Sequence, residues 1–237
     1  MTLPSGVVTF LFTDVVGSST KWDMADDVMG RAIRRHDEII EKAIASQSGD
    51  VVKKTGDGFM AVFADPTEAV WAAVESQRML GAEAWEAAIA DFTVRMGIHT
   101  GSGKVVNGDD YLGSAPNKAA RIEAAGHGGQ ILVSAATREL VDEAADLLRF
   151  RDLGDHYLRG LSRPERLYQV TGDGLMEAFP PIRTESKPDR PSIAVLPFET
   201  IGDPQRDAFA DGLVEDLITG LSRCRDLFVI ARNSTFV

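Results

Sequence analysis

VVKKTGDGFMAVF, residues 51–63, decides how the rest of the chain is read. Two runs, Val51–Lys54 and Phe59–Phe63, flank Thr55-Gly56-Asp57-Gly58. The Asp-Gly chemistry of that spacer fits the tight turn of an antiparallel hairpin. Strand alternation sends Lys53 and Lys54 to opposite faces, so at most one points into any given site. Lys54 is read as the solvated one. Asp57 stands in the turn itself.

Upstream, Val7–Phe12 is a continuous apolar run rich in Val and Phe, the pattern of a buried strand, and Asp14 follows it closely. If this strand neighbours the hairpin, both carboxylates emerge at one sheet edge. Two carboxylates together with substrate phosphates suit Mg²⁺, a hard ion that keeps oxygen ligands. The plainer reading makes Asp14 a helix cap and Asp57 a turn residue. Gly17-Ser18-Ser19-Thr20 offers hydroxyl caps for a helix reaching about Ala45. Backbone N–H groups at Gly17 can hold an anion at that helix start, although no GKS or GKT of a Walker loop is present.

Downstream, Pro66 opens an Ala-rich helix expected to reach about Ala90 with a break near Gly81. Phe92–His99 and Gly103–Val106 read as a strand pair around Thr100-Gly101. A helix is expected over Ser114–Ala125, a strand over Ile131–Val133, a helix over Ser134–Ala145, and then several short strands. This order gives an α+β fold, with helices on one face of a mainly antiparallel sheet. Within DDYLGSAPNKAAR (109–121), Asn117 and Arg121 are four apart and share a helix face. An Asn beside an Arg can hold a sugar and a charged phosphoryl group together. Pro116 is harmless there only if the helix begins at Ser114 or Ala115. His36, His99, His127 and His156 have no ligand spacing and read as structural or surface residues. Trp22, Trp71 and Trp85 read as packing residues.

The 237 residues carry 25 Lys and Arg against 36 Asp and Glu, a net charge of −11. That excludes a sequence-blind nucleic-acid binder, which needs a cationic surplus to neutralise phosphates. A single cysteine excludes a disulfide framework. No apolar run is long enough for a membrane span, and the N-terminal stretch lacks the basic start of a signal peptide, so a cytoplasmic protein is expected. The proline-rich segment FPPIRTESKPDRP (179–191) has no apolar period. It divides the chain into a domain over 1–172, a linker over 173–190 and a second piece over 191–237. In that piece a strand, a helix with an apolar stripe of Phe209, Leu213, Leu217 and Leu221, and a second strand make one parallel βαβ unit. Such a unit is too small to stand alone.

Six blocks in order, VTFLFTDVVGSST (8–20), VVKKTGDGFMAVF (51–63), VRMGIHTG (94–101), YLGSAPNKAARI (111–122), GHGGQILVS (126–134) and LGDHYLRGLSRPERLYQV (153–170), resemble the class III nucleotidyl cyclases in their adenylate cyclase branch. The resemblance implies a ferredoxin-like βαββαβ core with additional C-terminal strands and a helix. It implies two Mg²⁺ or Mn²⁺ ions held by Asp14, Asp57 and the Val15 carbonyl, with Gly17 beside the substrate. It implies that Lys53 and Asp110 read the purine, that Asn117 orients the ribose, that Arg121 acts on the transition state, and that Arg95 lies near the triphosphate. Arg159 is a further candidate phosphate contact. The implied substrate is ATP and the implied assembly a homodimer with shared sites. The alternative is a catalytically weak or inactive regulatory or dimerisation module of the same fold. Adenine pairs an acceptor with an amino donor, which matches a Lys that only donates and an Asp that only accepts. Guanine reverses that polarity. Residues 191–237 resemble the incomplete start of a TolB-like N-terminal domain.

Overall fold

Alternate burial along the first strand explains why the sheet is covered on both sides. In β1 (Gly6–Val15), Val8 and Phe10 face one way and Leu11 and Val15 the other, all at 1% exposure or less. The computed structural model describes residues 3–142, 148–161, 163–184, 192–196, 207–223 and 228–230. The chain forms two compact units, Met1–Glu185 and Ser186–Val237.

In the first unit, β1 is followed by α1 (Ser18–Met24), α2 (Asp26–Ser46), β2 (Asp50–Lys54), β3 (Phe59–Phe63), α3 (Pro66–Ala82), β4 (Val94–Val106), β5 (Asp110–Leu112) and α4 (Ser114–Ala125). Then come β6 (Ile131–Ser134), α5 (Ala135–Leu140), β7 (Arg149–His156) and β8 (Glu165–Thr171). The strand order is β2-β3-β1-β4-β6-β8-β7, with β5 paired to β4. All pairs are antiparallel except β4 with β6. The first four of those strands and their helices make the expected ferredoxin-like βαββαβ core.

Helices lie on both faces, not one. Met29, Ile40 and Ile44 of α2 and Val70 and Ala73 of α3 form a core with Leu11, Phe59 and Ile98. On the opposite face Ala115 and Ala119 of α4 pack on Val8, Phe10, Met60 and Val62. Gly97 makes the second layer possible, because a Cβ there would overlap the backbone nitrogen of Glu123. Helix α4 therefore lies directly on β4.

Three expected elements differ. The helix expected from Gly17 to Ala45 is broken at Ala25 (φ −155°, ψ 61°), and Asp26 and Asp27 begin a new N-terminus where acidic residues are favourable. The hydroxyls after Gly17 form no side-chain cap; Gly17 itself caps α1 with φ 69°. The helix from Pro66 breaks near Gly81 as expected, ending at Ala82, and a separate turn of 3-10 helix follows at Ala87–Ile89. Strand β4 runs unbroken through Thr100-Gly101, since both pair with β1. The hairpin turn falls instead at Asn107-Gly108, with φ 53° and 85°, as Asn-Gly chemistry favours. The helix expected over Ser134–Ala145 ends at Leu140, because Val141 is already extended (φ −69°, ψ 130°); residues 143–147 lie outside the described residues.

Residues 172–184 have no regular elements, yet they are tied to the first unit. Arg78 donates to the Asp173 carbonyl, Arg151 and Gln169 donate to that of Glu177, and the Arg183 amide donates to Ala125 O at 2.8 Å. In the second unit, β9 (Ser192–Ala194) and β10 (Phe228–Ile230) are parallel, with α6 (Asp207–Ser222) between them in sequence. The stripe expected on that helix is displaced. Val214 is buried, whereas Leu213 and Leu217 are 42% and 40% exposed. The Phe209 side chain lies outside the described residues.

Candidate active site

Asp14 and Asp57 reach one edge of the sheet because β1 pairs with β3, with Thr13 opposite Phe59. The Phe59 amide donates to Thr13 Oγ1 at 3.0 Å. Gly58 closes the approach, since a Cβ there would overlap the Thr13 carbonyl oxygen. The turn carrying Asp57 is thereby pressed against the strand end carrying Asp14. Val15, next in β1, is buried and pairs with Val94.

Arg95 stands opposite Asp14 on β4. Its Nε and Nη2 donate to Asp14 Oδ2 at 3.0 and 2.6 Å, and its Nη1 donates to the Ala124 carbonyl at 3.3 Å. On its other side, Nε is 2.5 Å from Glu123 Oε1. Glu123, two residues beyond Arg121, was not singled out from the sequence. Its Oε1 is buried without a hydrogen bond, as is Asp57 Oδ2. Burial pushes the Glu123 carboxyl up to about 7, with the negative charges of Asp14 and Asp57 acting the same way and Arg95 opposing them.

These donors fit a divalent cation as partial ligands. Asp57 Oδ2 is a buried anionic oxygen with no proton donor, and Asp14 turns toward the same edge. Among the described residues, no group of three or more His, Cys, Asp and Glu converges to hold a metal ion. Two carboxylates completed by phosphate oxygens are what Mg²⁺ accepts.

A second cluster forms elsewhere in the same unit. Lys53 Nζ is 2.8 and 2.7 Å from the two carboxylate oxygens of Asp110, across 57 residues of sequence. The Tyr111 amide also donates to Asp110, and the Lys53 hydrogen bond first and that amide second hold its carboxyl below the usual range. Tyr111 meets Phe10 edge-on at 5.1 Å, which folds β5 over the β1 face and brings Asp110 within reach of Lys53. Lys54 points the other way, as alternation requires. It is not simply solvated, because it pairs with Asp37 and Glu41 of α2.

Asn117 and Arg121 lie on one exposed face of α4. Among the described residues neither side chain has a hydrogen bond or ion pair. The helix begins at Ser114, so Pro116 occupies the first turn, where no amide donor is needed. Gly17 is exposed at the start of α1, a seven-residue helix. Arg159 is exposed and lies in the turn before β8, and none of the described contacts joins it to the other site residues. His36 and His99 are buried, and Trp71 and Trp85 pack against the core.

The sheet carries the two carboxylates at one edge and the Lys53–Asp110 pair elsewhere in the same unit. The profile of the adenylate and guanylate cyclase catalytic domain family matches residues 2–172, and the chain belongs to that family. A Rhizobium meliloti protein assigned the name adenylate cyclase 3 is 37% identical over 207 residues, covering 85% of this chain. The chain spans only 35% of that relative's length. A solved structure of Trypanosoma brucei adenylate cyclases in their monomeric state superposes with a TM-score of 0.72 at 28% identity, covering 79% of this chain and 97% of that one. An adenylate/guanylate cyclase/hydrolase from Silicibacter pomeroyi superposes with a TM-score of 0.62 at 31% identity, covering 72% and 99%. Among the described residues, no helix is long and apolar enough to cross a membrane.

Proposed function

We propose that residues 1–172 catalyse the conversion of ATP to 3′,5′-cyclic AMP and pyrophosphate at sites shared between two copies of the chain. The observation that carries this reading is the pairing of Lys53 with Asp110. A donor and an acceptor held side by side match the acceptor and amino donor on the edge of adenine. The pair is exposed, so a base edge can enter between the two groups. A site built to satisfy one polarity leaves its groups mispaired with the other, and at this exposed pair a discrimination of at least about tenfold is expected.

Asp14, Asp57 and the Val15 carbonyl would hold two Mg²⁺ or Mn²⁺ ions. Bound there, such ions supply Lewis acidity toward the ribose 3′-hydroxyl and the leaving pyrophosphate. The 3′-oxygen bonds to the α-phosphorus, the bond from that phosphorus to the bridging oxygen breaks, and the 3′ proton passes to solvent. Asn117 orients the ribose, and Arg121 stabilises charge on the transferring phosphoryl group. Arg95 would meet the triphosphate, with the Gly17 backbone beside it.

The homodimer is supported by the free Asn117–Arg121 face. Both side chains lack partners within their own chain among the described residues, as expected of groups that act on a substrate held by the neighbour's metal site. One observation favours the alternative, a weak or inactive module of the same fold: Arg95 occupies Asp14 Oδ2. For residues 191–237 the parallel β9–β10 pairing fits the expected βαβ unit, and the TolB-like start is part of this proposal only. The deciding experiment supplies purified protein with Mn²⁺ and either ATP or GTP and measures cyclic nucleotide by mass spectrometry. Cyclic AMP well in excess of cyclic GMP is expected; no product from either would favour the inactive module.

A further inference from the structure

Arg95 stands between two carboxylates, and the catalytic reading uses only one of them. We propose that Glu123 is a positioning residue that retains the Arg95 guanidinium when Asp14 releases it to take a divalent cation. The proposal rests on the reading of Asp14 and Asp57 as metal ligands.

Asp14 Oδ2 accepts two N–H groups from Arg95. Those lone pairs cannot serve a cation at the same time. A cation that takes Asp14 Oδ2 as a ligand must therefore displace a charge-assisted, two-pronged contact that is largely shielded from water, with Arg95 20% and Asp14 31% exposed. Arg95 is not free to swing into solvent, because Nη1 is tied to the Ala124 carbonyl. Stranding a half-buried guanidinium beside a new positive charge is unfavourable unless another anion receives it.

Glu123 meets that need. It is 11% exposed, and its Oε1 lies 2.5 Å from Arg95 Nε while that nitrogen's proton is directed to Asp14. The oxygen is buried and has no other donor. When Asp14 turns away, a small rotation gives the Nε proton to Glu123. The close seat of α4 on Gly97 fixes the Glu123 backbone and prevents the carboxylate from receding. Glu123 is not placed as a third metal ligand, since its oxygen faces the guanidinium and no three-carboxylate group converges among the described residues.

The test titrates the nucleotide-free chain of residues 1–237 with Mn²⁺ and follows the paramagnetic resonance of the free ion. Glu123→Gln is expected to raise the half-saturating Mn²⁺ concentration about tenfold. Arg95→Met removes the competitor and is expected to lower it. In the Arg95→Met background, Glu123→Gln should change the value less than about threefold, because its partner is gone. Equal weakening in both backgrounds would mean that Glu123 acts on the ion directly and would overturn the proposal. So would an unchanged value for Glu123→Gln alone. Asp57→Asn distinguishes the underlying reading: if it binds Mn²⁺ as the parent does, the metal site itself is wrong and the proposal falls with it. Should Glu123→Gln lose its cooperative melt, Glu123→Asp replaces it in the same comparison, keeping the charge while shortening the reach.

Discussion

Lys53 and Asp110 neutralise each other at 2.7–2.8 Å, although β2 and β5 do not pair as strands. The contact exists because Tyr111 packs on Phe10 and folds β5 across the sheet. Both partners are well exposed, 44% and 35%, so opening the pair for a base costs about 1 kcal/mol or less. The pair is thus suited to selecting a ligand and contributes little to holding the fold.

Base choice should follow from that pair. Replacing Lys53 by Glu and Asp110 by Cys reverses the donor and acceptor pattern. The ATP-to-GTP ratio of kcat/KM is expected to fall at least about tenfold in the double variant. An unchanged ratio in competition assays would remove these residues from base recognition.

Shared sites predict rescue between two inactive proteins. Asp57→Ala and Arg121→Ala are each expected to lose at least about 100-fold in turnover. Mixed as a proven heterodimer, they regain cyclic AMP production, because one of the two composite sites is intact. Asp57→Asn should melt no lower than the parent, since it removes a buried, unpartnered carboxylate oxygen.

The seat of α4 on β4 predicts a large penalty for a small change. Gly97→Ala places a methyl group against the backbone of Glu123 and is expected to cost about 1–3 kcal/mol in chemical denaturation. Gly81→Ala, with open space around it, is the control and should stay within about 0.5 kcal/mol.

His99 makes stability depend on acid. Its ring is buried, with Nδ1 2.8 Å from Ser134 Oγ, and burial, reinforced by the Lys118 charge, holds its pKa down to about 4. The unfolded chain takes up this proton near 6.5, so between about 6.5 and 4 the unfolded state binds more protons than the folded one. Stability from this residue is complete above 6.5 and is lost as pH falls toward 4, by about 3 kcal/mol. His99→Asn should flatten that part of the stability–pH curve in urea titrations.

Much of this was legible in the sequence where the cause is local. The strand Phe59–Phe63 and the helix Ser114–Ala125 fall at the expected residues, because an Asp-Gly turn and a closing glycine act over a few positions. The break at Ala25 and the continuous β4 were not legible, because a Thr-Gly pair reads as a turn until its neighbour strand claims it. A signal for the second helical layer was present in the alternation Arg95, Gly97, His99, Gly101, Gly103. A bare stripe on one strand face invites a helix backbone to lie there.

The sequence by itself determined which chemical groups this protein owns: the carboxylates of Asp14 and Asp57, and Asn117 and Arg121 on one helix face. Each is set by spacing within a single strand, turn or helix, where periodicity dictates direction. Only the tertiary structure decided how they meet. Arg95 reaches Asp14 across 81 residues and is caught by Glu123 from a helix on the opposite element. Such distances depend on strand register and on the missing side chain at Gly97, and no local rule encodes either.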